Sequence, residues 1–293
     1  MKDMVSKYDT NYELIDSGMG RKFERIAGVM VERPSPQAIW KPLKESDWKQ
    51  ATSVCSRTKD GGGFWEHKKK LPEPLIFEQQ ILDKKLSFLL KFTSFGHCGL
   101  FFEQLPIWEQ IAKNVTKQKE LLKRPPKFLN LFGYTGAASL VAAAFGAEVV
   151  HVDSAKSVLE WGRKSQGLSK LDSAKVQWVH EDALKFMQFS AKKGKTFDGI
   201  LLDPPSWGHG VKKEKWEFEK NLSDMMESVY QTLEKNNSFV IMTSHTHGVQ
   251  AQALKNLFGK FSFSEEACGD LGVAHKNDSR ILPAGMYYTG SKL

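Results

Sequence analysis

Cysteine is scarce in this chain. Three residues in 293, Cys55, Cys98 and Cys268, lie far apart and form no CxxC pair. That argues against a disulfide framework and a thiolate zinc site, and makes a reducing cytoplasm the expected setting. Long apolar runs are also missing: none approaches the ~18 residues a membrane helix needs. The opening stretch MKDMVSKYDTNYELIDSG has no apolar h-region, which argues against a secretory signal. There is no internal repeat and no low-complexity tract.

What is present reads as a folded globular protein. Hydrophobic residues make up 41% and charged residues 26%, over a length that suits one large domain or two modest ones. The formal net charge is +8 and the isoelectric point about 9.2. Such a balance favours a polyanionic partner, nucleic acid above all, although a generically basic protein has the same balance.

The chain changes character near residue 125. Before it, strand-like stretches at 28–31, 38–40 and 86–92 alternate with turn signals, Asp60-Gly61-Gly62-Gly63 and Pro72-Glu73-Pro74. This predicts a small β-rich N-terminal domain over 1–105. A helix over 108–122, stopped by Pro125-Pro126, forms a helical linker spanning 106–126. From 127 to 293 strands and helices alternate. Strands are expected at 128–132, 148–152, 176–180, 197–202 and 238–244, with helices at 137–145, 154–166, 182–193 and 217–235. Further strands near 261–265 and 286–289 complete the set. The fold class is therefore α/β, a Rossmann-like doubly wound, mostly parallel seven-stranded sheet with helices on both faces.

In open α/β sheets ligands bind beyond the carboxyl ends of the strands, so the residues following each strand matter most. The first strand runs into Phe132-Gly133-Tyr134-Thr135-Gly136, where two glycines let the backbone turn tightly and bring N–H groups close to a ligand. The turn is neither a GxGxxG nor a P-loop, so it is also compatible with a plain connection. Asp153, followed by Ser154, ends the second strand and suits two ribose hydroxyls; the competing role is a helix N-cap. Asp182, followed by Ala183, ends the third and suits an adenine amino group, with the same competing role. The fourth strand, Gly199-Ile200-Leu201-Leu202, enters Asp203-Pro204-Pro205-Ser206-Trp207. The prolines fix the backbone and free carbonyls, Asp203 can accept a hydrogen bond from a substrate amine or from the cofactor's amino group, and Trp207 can stack on a planar base.

This series of glycine turn, acid, acid and Asp-Pro-Pro resembles a class I S-adenosylmethionine-dependent methyltransferase. The stretches NLFGYTGAASLVAAAFGAEVVHVD, EDALKF, FDGILLDPPSWGHG and GHCGLFFEQ are similar to the bacterial RlmI/RlmK-type 23S rRNA methyltransferase family, over most of residues 85–290. The resemblance implies S-adenosyl-L-methionine as cofactor. It places Gly133 to Gly136 against the methionine part, Asp153 at the ribose, Asp182 at adenine, and Asp203, Pro204 and Trp207 at the acceptor. It implies that Phe102 and Gln104 help close the cofactor pocket. The PUA RNA-binding module found in some relatives is not expected here, and no metal is implied.

One departure matters. The cytosine C5 enzymes of this group carry a Cys nucleophile after the fifth strand, where this chain reads Met242-Thr243-Ser244-His245-Thr246. Cys98 is expected to be a buried, inert thiol. A nitrogen acceptor, which needs only orientation and a proton acceptor, is thus favoured. His245 is a candidate base or substrate contact, or a histidine satisfied within the fold; His209 and His247 are equally open. Lys192, Lys193 and Lys195, with Lys212, Lys213 and Lys215, flank the corner as candidate phosphate contacts. The expected substrate is RNA, ribosomal RNA first. Other readings are methylation of protein or a small molecule, an NAD-dependent oxidoreductase, and an inactive nucleic-acid-binding relative.

Overall fold

A computed structural model describes residues 2–7, 9, 11–58 and 62–293. Part of the anticipated turn at Asp60-Gly61-Gly62-Gly63 therefore falls outside the described residues. The first strand, β1 (Met4–Ser6), leaves the N-terminal region to join the large sheet. A five-stranded sheet follows in sequential order: β2 (Tyr12–Gly18), β3 (Arg21–Ile26), β4 (Val29–Pro34), β5 (Ser53–Arg57) and β6 (Gly63–His67). Its interior holds a charge cluster. Glu24 is fully buried, accepts from Tyr12 Oη at 2.8 Å and pairs with Arg33 Nε at 2.6 Å and Lys22 Nζ at 3.2 Å. Burial opposes its ionisation, but Arg33 and Lys22 prevail and hold its pKa at about 2. A hairpin, β7 (Leu75–Ile81) and β8 (Lys84–Leu90), completes this part.

The stretch 38–40 is not a strand. Pro36 and Gln37 turn the chain after β4, closed by Ala38 N–H donating to the Ser35 carbonyl at 3.0 Å, and the carbonyls of 38–40 are taken instead by the tight turn at Met19 and Gly20, whose N–H groups donate to Trp40 and Ala38 at 2.7 and 2.8 Å. The stretch is held, but as an irregular strap.

Helix α1 (Leu105–Leu122) starts with proline in its first turn and ends at Lys123 in the left-handed conformation, before Pro125-Pro126. It buries Ile107, Trp108, Ile111 and Val115. Then β9 (Lys127–Leu131), α2 (Ala137–Ala144), β10 (Glu148–Asp153), α3 (Lys156–Leu168), β11 (Val176–His180), α4 (Ala183–Lys192) and β12 (Gly199–Leu202) alternate. A short hairpin, β13 (Trp207–His209) and β14 (Lys215–Glu217), precedes α5 (Phe218–Thr232), β15 (Phe239–Ser244), α6 (Ala251–Leu257), β16 (Glu265–Ala274) and β17 (Ile281–Ser291).

The large sheet has the order β1-β16-β17-β15-β12-β9-β10-β11. All neighbours are parallel except β17, which is antiparallel to both β15 and β16. Seven strands match the expected methyltransferase-like sheet, and β1 adds an eighth at its edge. Of the last two strands, 286–289 falls inside β17, whereas 261–264 is an aromatic loop and β16 begins only at Glu265. Phe261 and Phe263 stack on each other at 5.4 Å rather than pairing in the sheet.

Alternation along the strands explains the two-sided core. Phe128 and Ile241 face one apolar cluster, which also holds Tyr12, Phe77, Phe88, Phe102 and Trp108 from the N-terminal strands and α1. Leu129, Ile200, Leu202, Val240 and Met242 face the other cluster, under α4, α5 and α6. Every residue of β12 is buried because it lies in mid-sheet with both faces covered. Among the described residues no helix is long and apolar enough to cross a membrane.

Candidate active site

The carboxyl ends of β9, β10, β11 and β12 open onto a cavity of about 460 Å3, with a second pocket of about 50 Å3 beside it. The turn after β9 is sharply bent: Phe132, Tyr134 and Gly136 all have positive φ, at 55°, 51° and 82°. Left-handed backbone at two non-glycine residues is uncommon and costs about 1 kcal/mol each. Packing beneath the turn compels it. A methyl group at Gly133 would lie 2.3 Å from His151 Cε1, and one at Gly136 would lie 2.6 Å from the Trp178 ring. Above, Thr135 Oγ1 donates to the Gly99 carbonyl at 2.6 Å. The turn is clamped between β10 and the segment leading to α1.

Asp153 holds this turn from the next strand. Its Oδ2 accepts from the Tyr134 N–H at 2.8 Å and its Oδ1 from the Ala155 N–H at 2.9 Å. It does not cap α3, whose N-cap is Ala155. Burial raises its pKa, partly offset by those N–H donors. Ser154 Oγ donates to the His209 carbonyl at 2.9 Å, tying β10 to the hairpin. Asp182 does cap its helix: Oδ1 accepts from the Lys185 N–H at 2.9 Å. The other oxygen, Oδ2, lies 2.8 Å from where a methyl group on Gly210 would sit. Ala183, the first residue of α4, lines the same wall.

Asp203 forms the floor. Gln104 Nε2 reaches its Oδ2 at 3.3 Å and Thr243 Oγ1 at 3.2 Å. Asp203 Oδ1 is a buried acceptor with no hydrogen-bond partner among the described residues. The carbonyls that the prolines were expected to free are not all free, since Trp216 Nε1 donates to the Pro205 carbonyl at 2.6 Å. Pro204, Pro205 and Ser206 line the cavity, and Ser206 Oγ donates to Thr246 Oγ1 at 3.0 Å.

The structure brings Phe132, Tyr134, Asp153, Ser154, Asp182, Ala183, Asp203 and Pro204 around the main cavity, and Gly133, Thr135 and Gln104 around the smaller one. Three candidates sit elsewhere. Gly136 underlies the turn against Trp178. Phe102 is buried on Tyr12, ring centroids 3.9 Å apart, and its neighbour Phe101 faces the cavity. Trp207 is 58% exposed, edge-on to His209, outside the cavity lining. Trp216, one strand across the hairpin, is the buried tryptophan that lines it, packed on Phe132 at 4.8 Å. The lysines also divide. Lys192, Lys193 and Lys195 lie at the far end of α4, about 15 Å along the helix from the site, with Lys193 and Lys195 over the Phe189 ring. Lys212, Lys213 and Lys215 stay with the hairpin.

His97, Phe101 and Glu103, which no strand end marks, also belong to the site: the first two line the cavity and Glu103 Oε1 lies 3.9 Å from His245 Nδ1. His97 lines the cavity, and burial, then Arg33, Arg57 and Lys22, hold its pKa at about 4. His245 stacks on Phe101 at 5.9 Å. Burial depresses the pKa of His245, but Asp203 and Glu103 outweigh it, so the net shift is upward. All three cysteines are free and buried, and none lines the cavity. Among the described residues no three metal-ligating side chains cluster. A tight glycine turn, one carboxylate on each side strand and an unpartnered acceptor on the floor suit a nucleoside-bearing ligand that presents donors.

Comparison with known proteins agrees. Residues 72–230 match a family model described as S-adenosylmethionine-dependent methyltransferase. The chain is similar to the crystal structure of a SAM-dependent methyltransferase from Agrobacterium tumefaciens: TM-score 0.91, 33% identity, covering 100% of this chain and 94% of that one. It is 28% identical over 222 residues to the ribosomal RNA large subunit methyltransferase K/L of Cellvibrio japonicus, covering 75% of this chain and 27% of that protein. The corresponding protein of Alteromonas mediterranea is 26% identical over 200 residues, 68% of this chain and 25% of that protein. The chain thus spans about a quarter of the length of these curated relatives.

Proposed function

Because the chain belongs to the S-adenosylmethionine-dependent methyltransferase family, we propose that it methylates a nitrogen of a nucleobase in RNA, ribosomal RNA first. When bound, S-adenosyl-L-methionine supplies an electrophilic methyl on a positively charged sulfur. Asp153 and Ser154 hold the ribose, Asp182 and Ala183 the adenine, and the turn from Phe132 to Gly136 the methionine part. Gln104 closes that pocket from the α1 side, with Phe102 fixing the segment that carries it.

The observation that carries the choice of acceptor is Asp203 Oδ1, a buried carboxylate oxygen with no hydrogen-bond partner among the described residues and with His245 Nε2 3.8 Å away. An unpartnered buried acceptor is costly unless a ligand donor meets it. An amine or ring N–H does so, which orients the nitrogen lone pair and gives the departing proton a place to go. Pro204 stiffens the floor, and Trp207, exposed on the hairpin, offers a face to a base neighbouring the acceptor. The absence of a thiol at the cavity disfavours cytosine C5, whose chemistry runs through a covalent adduct. The net charge of +8 and the names of the curated relatives support RNA, and the free cysteines suit the cytoplasm.

The test is transfer of tritium from labelled cofactor into fractionated cellular RNA, DNA and protein. Label in RNA, released by nuclease as an N-methylated nucleoside, is expected. Label confined to protein or small molecules would overturn the RNA assignment, and 5-methylcytidine would overturn the nitrogen.

A further inference from the structure

Beside the cavity lies a surface that the methyl-transfer site does not use. The segment 93–97 forms a tight turn: Gly96 N–H donates to the Thr93 carbonyl at 2.9 Å, and Thr93 N–H to the His97 carbonyl at 2.9 Å. Its base is fastened to β6, where Trp65 Nε1 donates to the Thr93 carbonyl at 2.7 Å. Its far end is His97, which lines the cavity. At its tip Phe95 is 68% exposed, an arrangement that a buried core does not explain.

The aromatic content continues along one face of β6. Trp65 and His67 are nearly parallel, 4° between planes with centroids 6.0 Å apart, and Phe92 packs on Trp65 at 4.4 Å. Glu66 alternates to the opposite face, so it does not interrupt this one. As the outer strand of its sheet, β6 has β5 as its one paired strand among the described residues. Lys68, Lys69 and Lys70 follow directly, all exposed, and none is paired with an acid among the described residues. Arg57, on β5, is exposed as well, and its charge reaches His97. Ring faces beside an unneutralised run of cations match the chemistry of a single-stranded nucleic acid, which offers π-faces and phosphates together.

We infer that the 93–97 turn, the Trp65–His67 face of β6 and the 68–70 lysine run dock the single-stranded RNA that flanks the acceptor base, feeding it past His97 into the cavity. This rests on the reading that the acceptor is RNA. Phosphate contacts from the lysines supply affinity without sequence preference, and Phe95 and Trp65 supply stacking.

The test uses the full chain, a fluorescent 20-nucleotide single-stranded RNA of mixed sequence, and methyl transfer into cellular RNA. A Lys68→Glu/Lys69→Glu/Lys70→Glu variant is expected to flatten the slope of log affinity against log salt by about 2, at roughly 0.7 per lost phosphate contact. Phe95→Ala is expected to raise the KM for RNA about fivefold or more, with kcat at saturating RNA and cofactor affinity by calorimetry unchanged. Both changes are at exposed positions, so melting temperatures should match wild type. Unchanged slope and KM in an enzyme that methylates RNA overturn the docking surface alone. A wild-type chain that neither binds the oligonucleotide at low salt nor labels RNA overturns both this and the RNA reading.

Discussion

Nε2 of His245 stands 3.8 Å from Oδ1 of Asp203, while its Nδ1 stands 3.9 Å from Glu103 Oε1. The two carboxylates favour the imidazolium, so the pKa of His245 is raised despite burial. Below it, charged His245 competes for the oxygen that we assign to the acceptor. Activity is therefore expected to rise with pH through a point above the ordinary histidine value of about 6.5, and His245→Gln should remove that inflection. Stability runs the other way. A raised folded pKa stabilises below the unfolded value and loses that contribution as pH rises through the folded one. The melting-temperature gap between wild type and His245→Gln should thus narrow from pH 6 to pH 8.5. A gap that widens would refute the coupling.

Asp203→Asn keeps the shape of the floor and the contact with Gln104 but removes the charge that we propose takes the proton. The expected loss in kcat is about 100-fold or more, with cofactor affinity by calorimetry within about threefold. Near-wild-type turnover of this variant would remove Asp203 from the chemistry.

Gly136→Ala combines a φ of 82° with a methyl group 2.6 Å from Trp178. It should cost about 1–3 kcal/mol, or roughly 3–8 °C in melting temperature. Cofactor binding should weaken as well, because the turn cannot move without releasing Tyr134 from Asp153. Differential scanning calorimetry with and without cofactor checks both.

Much of this site was legible because of where parallel strands end. Asp153, Asp182 and Asp203 each lie at the carboxyl end of a strand that the sequence predicts, and that position alone sends them to one edge of a sheet. What was not legible depends on contacts distant in sequence. Glu103 and His245 are 142 positions apart and meet only through α1 and β15. Trp207 and Trp216 look equivalent until the hairpin pairs Gly208 with Trp216, turning one ring in and the other out. The lengths of β16 and β17 were hidden by Gly269, Gly272 and Gly285, which break the apolar pattern where backbone or side chains approach closely.

Glu24→Gln in the N-terminal sheet leaves the Arg33 charge buried against a neutral amide. About 3 kcal/mol or more of stability is expected to go. The depressed pKa of Glu24 sets the pH window: its contribution is full above the unfolded value near 4.5 and is lost as pH falls towards about 2. Acid titration of wild type and variant by circular dichroism should therefore converge at the low end.

Cys55, Cys98 and Cys268 are at most 6% exposed, and burial raises the thiol pKa of Cys55 and Cys98. Iodoacetamide applied to the native enzyme is expected to leave methyl transfer intact. A covalent enzyme–RNA adduct that survives denaturation would assign one thiol a nucleophilic role and reverse the preference for nitrogen.

The three residues of β1 lie along β16 in register, Met4 to Leu271, Val5 to Gly272 and Ser6 to Val273. Without them the flank of β16 would present a row of free amide and carbonyl groups to solvent, a template on which a second molecule could add its own strand. Those few residues are expected to guard against self-association. A chain trimmed of residues 1–7 should keep its catalytic cavity yet form higher oligomers on size-exclusion chromatography, increasingly so as its concentration is raised.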